Sequence, residues 1–169
     1  MLNFKITNME RHQFKTTINA PRERVWEILW GDETYPQWTS AFAEGSRAET
    51  DWKKGSKVLF TDGKGEGMVS VVADNVPNEF MSFKHLGVLK NGKEDTETAR
   101  EKGWSGAIEN YTLKTVKNQT ELTVDQDIEA DYKDYFLSTW PKALEKLKAL
   151  AEGGAEQDVA AGEESRASR

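Results

Sequence analysis

Between residues 46 and 128 the apolar side chains of this chain recur at every second position, and short polar clusters interrupt them. Helical spacing returns only afterwards, in "FLSTWPKALEKLKAL". Period two marks strands that bury one face, and the spacing of three and four marks an amphipathic helix. The pattern predicts strands over 47–50, 57–61, 67–73, 79–86, 104–116 and 121–130. The turns between most of them are too short for a crossover, so the strands form an antiparallel meander. Such a sheet has one face to cover, and the last helix is the only long element available to cover it.

The flanks complete the order. Residues 11–20, "RHQFKTTINA", read as a first strand with Phe14, Thr16 and Ile18 on one face. Pro21 then opens a helix over 22–30, at a position where its missing N–H is harmless. An aromatic segment, "ETYPQWTSAF", supplies a second short helix. In the closing helix, expected over 131–152, Phe136, Trp140, Ala143, Leu147 and Leu150 form the apolar stripe. Pro141 lies inside this pattern, and the reading favours one helix that passes through it with a kink over a break. From Gly153 the chain turns into "GGAEQDVAAGEESRASR", read as a disordered acidic tail over 153–169. The stretch 90–102, "KNGKEDTETAREK", has eight charged residues of thirteen and reads as a solvated insertion at a hairpin tip, without an anchor in the core. The expected architecture is α+β: a seven-stranded curved antiparallel sheet wrapped round a long C-terminal helix, with two short helices after strand 1. Its domain spans 1–152.

Composition narrows the function classes. A formal charge of −6 disfavours nucleic acid, which selects a basic face. The absence of cysteine removes disulfides, thiolate metal sites and thiol chemistry. No apolar run reaches the ~20 residues of a membrane span, and the polar N-terminus is unlike a signal peptide. A cytoplasmic location is expected, and Asn118-Gln119-Thr120 is read as a turn and not a glycosylation site. "DGKGEG" at 62–67 lacks the spacing of a phosphate loop and lies between two strands, so it reads as a hairpin turn. The two histidines are more than seventy residues apart in the sequence. No metal site and no cofactor are therefore expected.

Two stretches carry a resemblance. "INAPRERVWEILW", residues 18–30, resembles the strand-Ala-Pro-helix entrance of the START-like (SRPBCC, helix-grip) superfamily, and "WPKALEKLKALAE", residues 140–152, is similar to its closing helix. Within the superfamily the nearer match is to the family named after the activator of the heat-shock-protein ATPase. The resemblance covers about residues 10–152 and implies a hydrophobic cavity between the sheet and the long helix. Across the superfamily that cavity holds lipids, sterols, polyketides or plant hormones, and a few branches are cyclases or dehydratases. The co-chaperone that names the family has a second, N-terminal domain, whereas about ten residues precede the first strand here.

On that fold, Trp38, Phe60, Phe83, Trp104 and Tyr111 are expected ligand-binding residues, as are Tyr135, Phe136 and Trp140. Gln126 is expected to orient a ligand. His85, in phase with Met81 and Phe83, is both a ligand-binding candidate and, with Glu109, a candidate acid or base. His12 is the weaker histidine. The expected function is non-catalytic binding of a small apolar or amphipathic molecule. A cyclase, dehydratase or hydrolase acting in the same cavity is one alternative, and a chaperone-regulating module is another.

Overall fold

The computed structural model describes residues 9–163, with side chains through residue 153. β1 (Met9–Ile18) leads into α1 (Arg22–Trp30) and α2 (Tyr35–Thr39). There follow β2 (Arg47–Glu49), β3 (Lys57–Thr61), β4 (Gly67–Val76), β5 (Phe80–Lys90) and β6 (Lys93–Asp95). α3 (Glu97–Glu101), β7 (Ala107–Val116) and β8 (Gln119–Glu129) come next, and a 3-10 turn at Ala130–Tyr132 delivers the chain into α4 (Lys133–Glu163). Neighbouring strands are antiparallel in the order β1-β8-β7-β5-β4-β3-β2, with β6 attached only to β5. The expected seven strands are thus the main path, and the architecture is helix-grip.

Local chemistry explains the joints. Lys117 and Asn118, both at positive φ, turn β7 into β8, as a two-residue hairpin whose twist matches its strands requires. The next residue but one, Thr120, is fully buried and donates to the Ala20 carbonyl at 2.7 Å. The glycine-rich turn at 62–67 joins β3 to β4, and Asp62 Oδ1 accepts the Lys64 and Glu66 amides.

One expectation is corrected. The charged stretch 90–102 is anchored: it contains β6 and α3, and Ala99 is fully buried. The reason lies at Gly87 of β5, where a Cβ would stand 2.2 Å from the Asp95 carbonyl oxygen. Because position 87 lacks a side chain, the insertion folds back onto its own strand. Asp95 then accepts bonds from the Thr98 amide and hydroxyl, which starts the helical turn.

The core lies between the concave sheet face and α1, α2 and α4. Its aliphatic half joins Ile18, Val25 and Leu29 to Ala143, Leu147 and Ala151. α4 is continuous through Pro141 and its bounds run to Glu163, across Gly153-Gly154, whereas the sequence reading ends the helix at 152. Of the tail expected over 153–169, residues 164–169 lie outside the described ones.

Pro141 is exposed on α4 and has no N–H to offer the Leu137 carbonyl, a defect of about 3 kcal/mol in a helix interior. Pro141→Ala restores that donor, offset by up to ~1 kcal/mol of extra unfolded-chain entropy. We expect a net stabilisation of about 2 kcal/mol in urea denaturation. A loss of stability would show that Trp140 and Ala143 need the proline's local geometry.

Candidate functional site

The register places a row of side chains on the concave face. Ser70 of β4 pairs with His85 of β5, Phe83 pairs with Glu109 of β7, and Glu109 pairs with Gln126 of β8. Paired residues share a face, so neighbouring strands bring four polar groups into line. His85 Nδ1 lies 2.6 Å from Ser70 Oγ, and His85 Nε2 lies 3.0 Å from Glu109 Oε1. The Tyr111 hydroxyl donates to Glu109 Oε2 in a short hydrogen bond. Ser70 is fully buried, so its hydroxyl proton needs an acceptor, and Nδ1 is the one beside it. With Ser70 as donor, the neutral imidazole carries its proton on Nε2 and donates to Glu109. The chain Ser70–His85–Glu109–Tyr111 therefore ends, from both sides, on one carboxylate.

Glu109 is the accessible member: 16% of its side chain is exposed, against 7% for His85. Burial first, and then the charge of Glu109, push the Tyr111 hydroxyl well above its ordinary value. The same two causes act in the same order on Tyr35 of α2, which also brings Tyr35 into the field of Glu109. Both phenols stay protonated and remain donors.

Rings surround this chain. The Phe60 ring centroid is 6.0 Å from that of His85 and 5.1 Å from that of Phe83. Trp30 meets Tyr111 and Trp52, each at 4.9 Å. Nearer α4, Trp140 stacks on Phe14 at 5.6 Å and meets Phe42 edge-on at 5.0 Å. The rings expected to line a cavity are thus in contact with one another. An open groove of about 470 Å³ lies elsewhere, on the outer flank between β1 and α4, lined by Phe14, Thr16, Pro141 and Leu144 among others.

Each expected residue can now be placed. Trp38, Phe83, Tyr111 and Trp140 are buried on or against the concave face, and Phe60 and Phe136 are half-buried. Gln126 has a fixed partner, because its Oε1 accepts the Trp140 indole N–H at 2.6 Å. Tyr135 is 43% exposed at the start of α4 and donates to the Phe42 carbonyl at 2.7 Å. Trp104 precedes β7, in the loop that follows α3, and its amide is bonded to Ala99. His12 reaches Glu10 at 3.0 Å and pairs in register with Gln126, two strands from Glu109.

Four participants escaped the sequence reading: Ser70, Tyr35, Trp30 and Trp52. Ser70 was in phase with Val72, a usable signal. Tyr35 and Trp52 lie outside the strands, where periodicity is silent. Trp52 also has φ 64°, uncommon for a bulky residue, and Asn75 holds its carbonyl at 2.8 Å.

The model of the family described as "Activator of Hsp90 ATPase homolog 1-like protein" matches residues 19–152. The chain belongs to this family. Among solved structures it is similar to the Aha1 dimer from Colwellia psychrerythraea, with 21% identity, 85% of this chain and 97% of that chain covered, and a TM-score of 0.63. It is also similar to ChR145 from Cytophaga hutchinsonii, at 24% identity, 89% and 99% coverage and a TM-score of 0.62. CalU16 from Micromonospora echinospora matches at 12% identity, 86% and 76% coverage and a TM-score of 0.60. No curated protein matches the chain by sequence. At these identities the structures share the family's fold, and the side chains above must be read on this chain alone. Among the described residues, no helix is long and apolar enough to cross a membrane, and no cluster of three or more potential metal ligands forms.

A phenol whose folded value is raised adds stability that is complete below its unfolded value of about 10 and is lost as the pH rises towards the folded value. In an alkaline absorbance titration, Tyr35 and Tyr111 should therefore ionise only as near-UV circular dichroism disappears. Ionisation of all four tyrosines with the fold intact would contradict their enclosure.

His85→Ala strips Ser70 and Glu109 of a shared partner, and should cost about 3 kcal/mol in urea denaturation. Ser70→Ala removes only the hydroxyl at the enclosed end of the chain and should cost about 1 kcal/mol. Equal effects would show that the four groups do not act as a chain.

Proposed function

We propose that the chain binds a small amphipathic molecule at the Glu109 end of the concave face, with the half-buried rings as apolar walls. The observation that carries this reading is the carboxylate itself. Glu109 is the accessible end of a buried hydrogen-bonded chain, held by His85 at 3.0 Å with no lysine or arginine beside it on the concave face. Ligand sites are mostly apolar with a few placed polar groups, and Phe60, Phe83 and Tyr35 near Glu109 fit that description. Entry would part the rim where α4 starts. There Tyr135 holds the Phe42 carbonyl, and Phe42 and Phe136 are both half-buried.

The same geometry weighs against a hydrolase. Ser70 is fully enclosed, so its hydroxyl has no approach to a scissile bond and serves to orient His85. A second reading, regulation of a chaperone ATPase, draws on the family description and on Tyr132, Tyr135 and Leu137, which expose apolar surface at the start of α4. No acceleration of an Hsp90-type ATPase by the purified protein would remove it.

The binding reading is tested by fluorescence titration with N-phenyl-1-naphthylamine, together with native mass spectrometry and organic extraction of the purified protein. We expect saturable binding of one probe per chain, weakened by Phe60→Ala about fivefold, the equivalent of one lost ring contact of ~1 kcal/mol. Non-saturable probe emission with nothing extracted would sink the reading.

A further inference from the structure

We infer that this site selects ligands whose polar end donates a hydrogen bond and carries no negative charge: phenols, alcohols or amines on an apolar body, and not carboxylates, phosphates or sulfates. The inference rests on the proposed binding site and deepens it.

Hydrogen-bond capacity supplies the first half. An ionised carboxylate offers about four acceptor positions and no donor. His85 and Tyr111 each use one, on different oxygens, so what Glu109 itself has left is acceptor capacity alone. Tyr111 has its single proton committed to Glu109. Gln126 Oε1 is occupied by Trp140. An apolar molecule with a hydroxyl or N–H satisfies Glu109, whereas an ether or ester oxygen leaves the carboxylate without a donor.

Charge supplies the second half. Along the registers from His12 of β1 to Ser70 of β4, the concave face carries neither lysine nor arginine. Two cations on the covering helices, Arg24 and Lys148, are engaged towards the Ile18 end of β1. Arg24 of α1 reaches the Leu150 carbonyl at 3.4 Å, and Lys148 of α4 reaches the Thr17 carbonyl at 2.9 Å. Arg11 is bound to Asp127, in the alternate phase of β1 and β8 to His12 and Gln126, and so on the outer face. Lys133 pairs with Glu10 at 3.5 Å. An anionic head group would thus meet Glu109 in a ring-lined, weakly screened setting without a counter-charge, where like charges repel far more than in water.

The test compares three naphthalenes of nearly equal shape on the full chain near pH 7, by calorimetry or tryptophan quenching. 2-Naphthol is a neutral donor, 2-methoxynaphthalene has no donor, and 2-naphthoate is an anion. We expect 2-naphthol to bind about tenfold more tightly than the ether, and the naphthoate to be the weakest. In Glu109→Gln, which keeps the shape and removes the charge, the gap between naphthol and naphthoate should shrink to about threefold or less. Ether binding equal to naphthol overturns the donor requirement. Naphthoate binding as tightly as naphthol to the unmodified chain overturns the charge selection while leaving the binding site itself standing. If none of the three binds, the site reading fails and takes the inference with it.

Discussion

The indole N–H of Trp140, donated to Gln126 at 2.6 Å, is the contact on which the organisation of this protein turns. Both groups are buried. A helix laid on a sheet by apolar packing alone is free to slide by a fraction of a turn, because dispersion contacts are weakly directional. A buried donor with one acceptor is directional, and leaving either group unpaired is expensive. The bond therefore fixes which residues of α4 face the sheet. Phe14, Trp38, Phe42 and Tyr111 pack around the ring and complete the registration.

From that fixed point the interior divides. Towards the C-terminus of α4, Ala143, Leu147 and Ala151 pack into aliphatic surface with Ile18 and Leu29, and nothing there has chemistry to offer. Towards its N-terminus the partners become aromatic and polar, because Gln126 is the strand neighbour of Glu109. Register carries the polarity onward through His85 to Ser70. Pro141 stands next to the boundary, where the exchange of one backbone hydrogen bond is tolerated on the exposed side of the helix. The site is consequently a product of strand register: shifting β5 by one residue would turn His85 outward and leave Glu109 without its orienting donor.

Much of this was legible beforehand, and the reasons differ from element to element. α1 over 22–30 carried its signals locally, in Pro21 and the spacing of Val25, Leu29 and Trp30. The sheet was readable because each strand buries one face, so its period survived in sequence. The same period placed His85 with Met81 and Phe83, and Glu109 with Tyr111. What it does not encode is which strands are neighbours, and so Ser70 stayed invisible until β4 was seen beside β5. Trp104, read as a strand residue, precedes β7 because the fold of 90–102 reaches further than its charge suggested. That stretch was misjudged for a physical reason, since its anchor is the absent side chain at Gly87 and composition registers only side chains that are present. Gln126 reads as a ligand-orienting group because it is in phase with Leu122, Val124 and Ile128, but its partner is Trp140 of α4, fourteen residues along the chain and on a different element.

The central claim is that a molecule's polar end meets Glu109 on the concave face. A crystal structure of the chain soaked with 2-naphthol addresses it most directly. We expect the naphthol hydroxyl within hydrogen-bonding distance of a Glu109 carboxylate oxygen, its rings against Phe60 and Tyr35, and His85 still between Ser70 and Glu109. Density for the ligand only in the outer groove between β1 and α4, with the concave rings undisturbed, would contradict it.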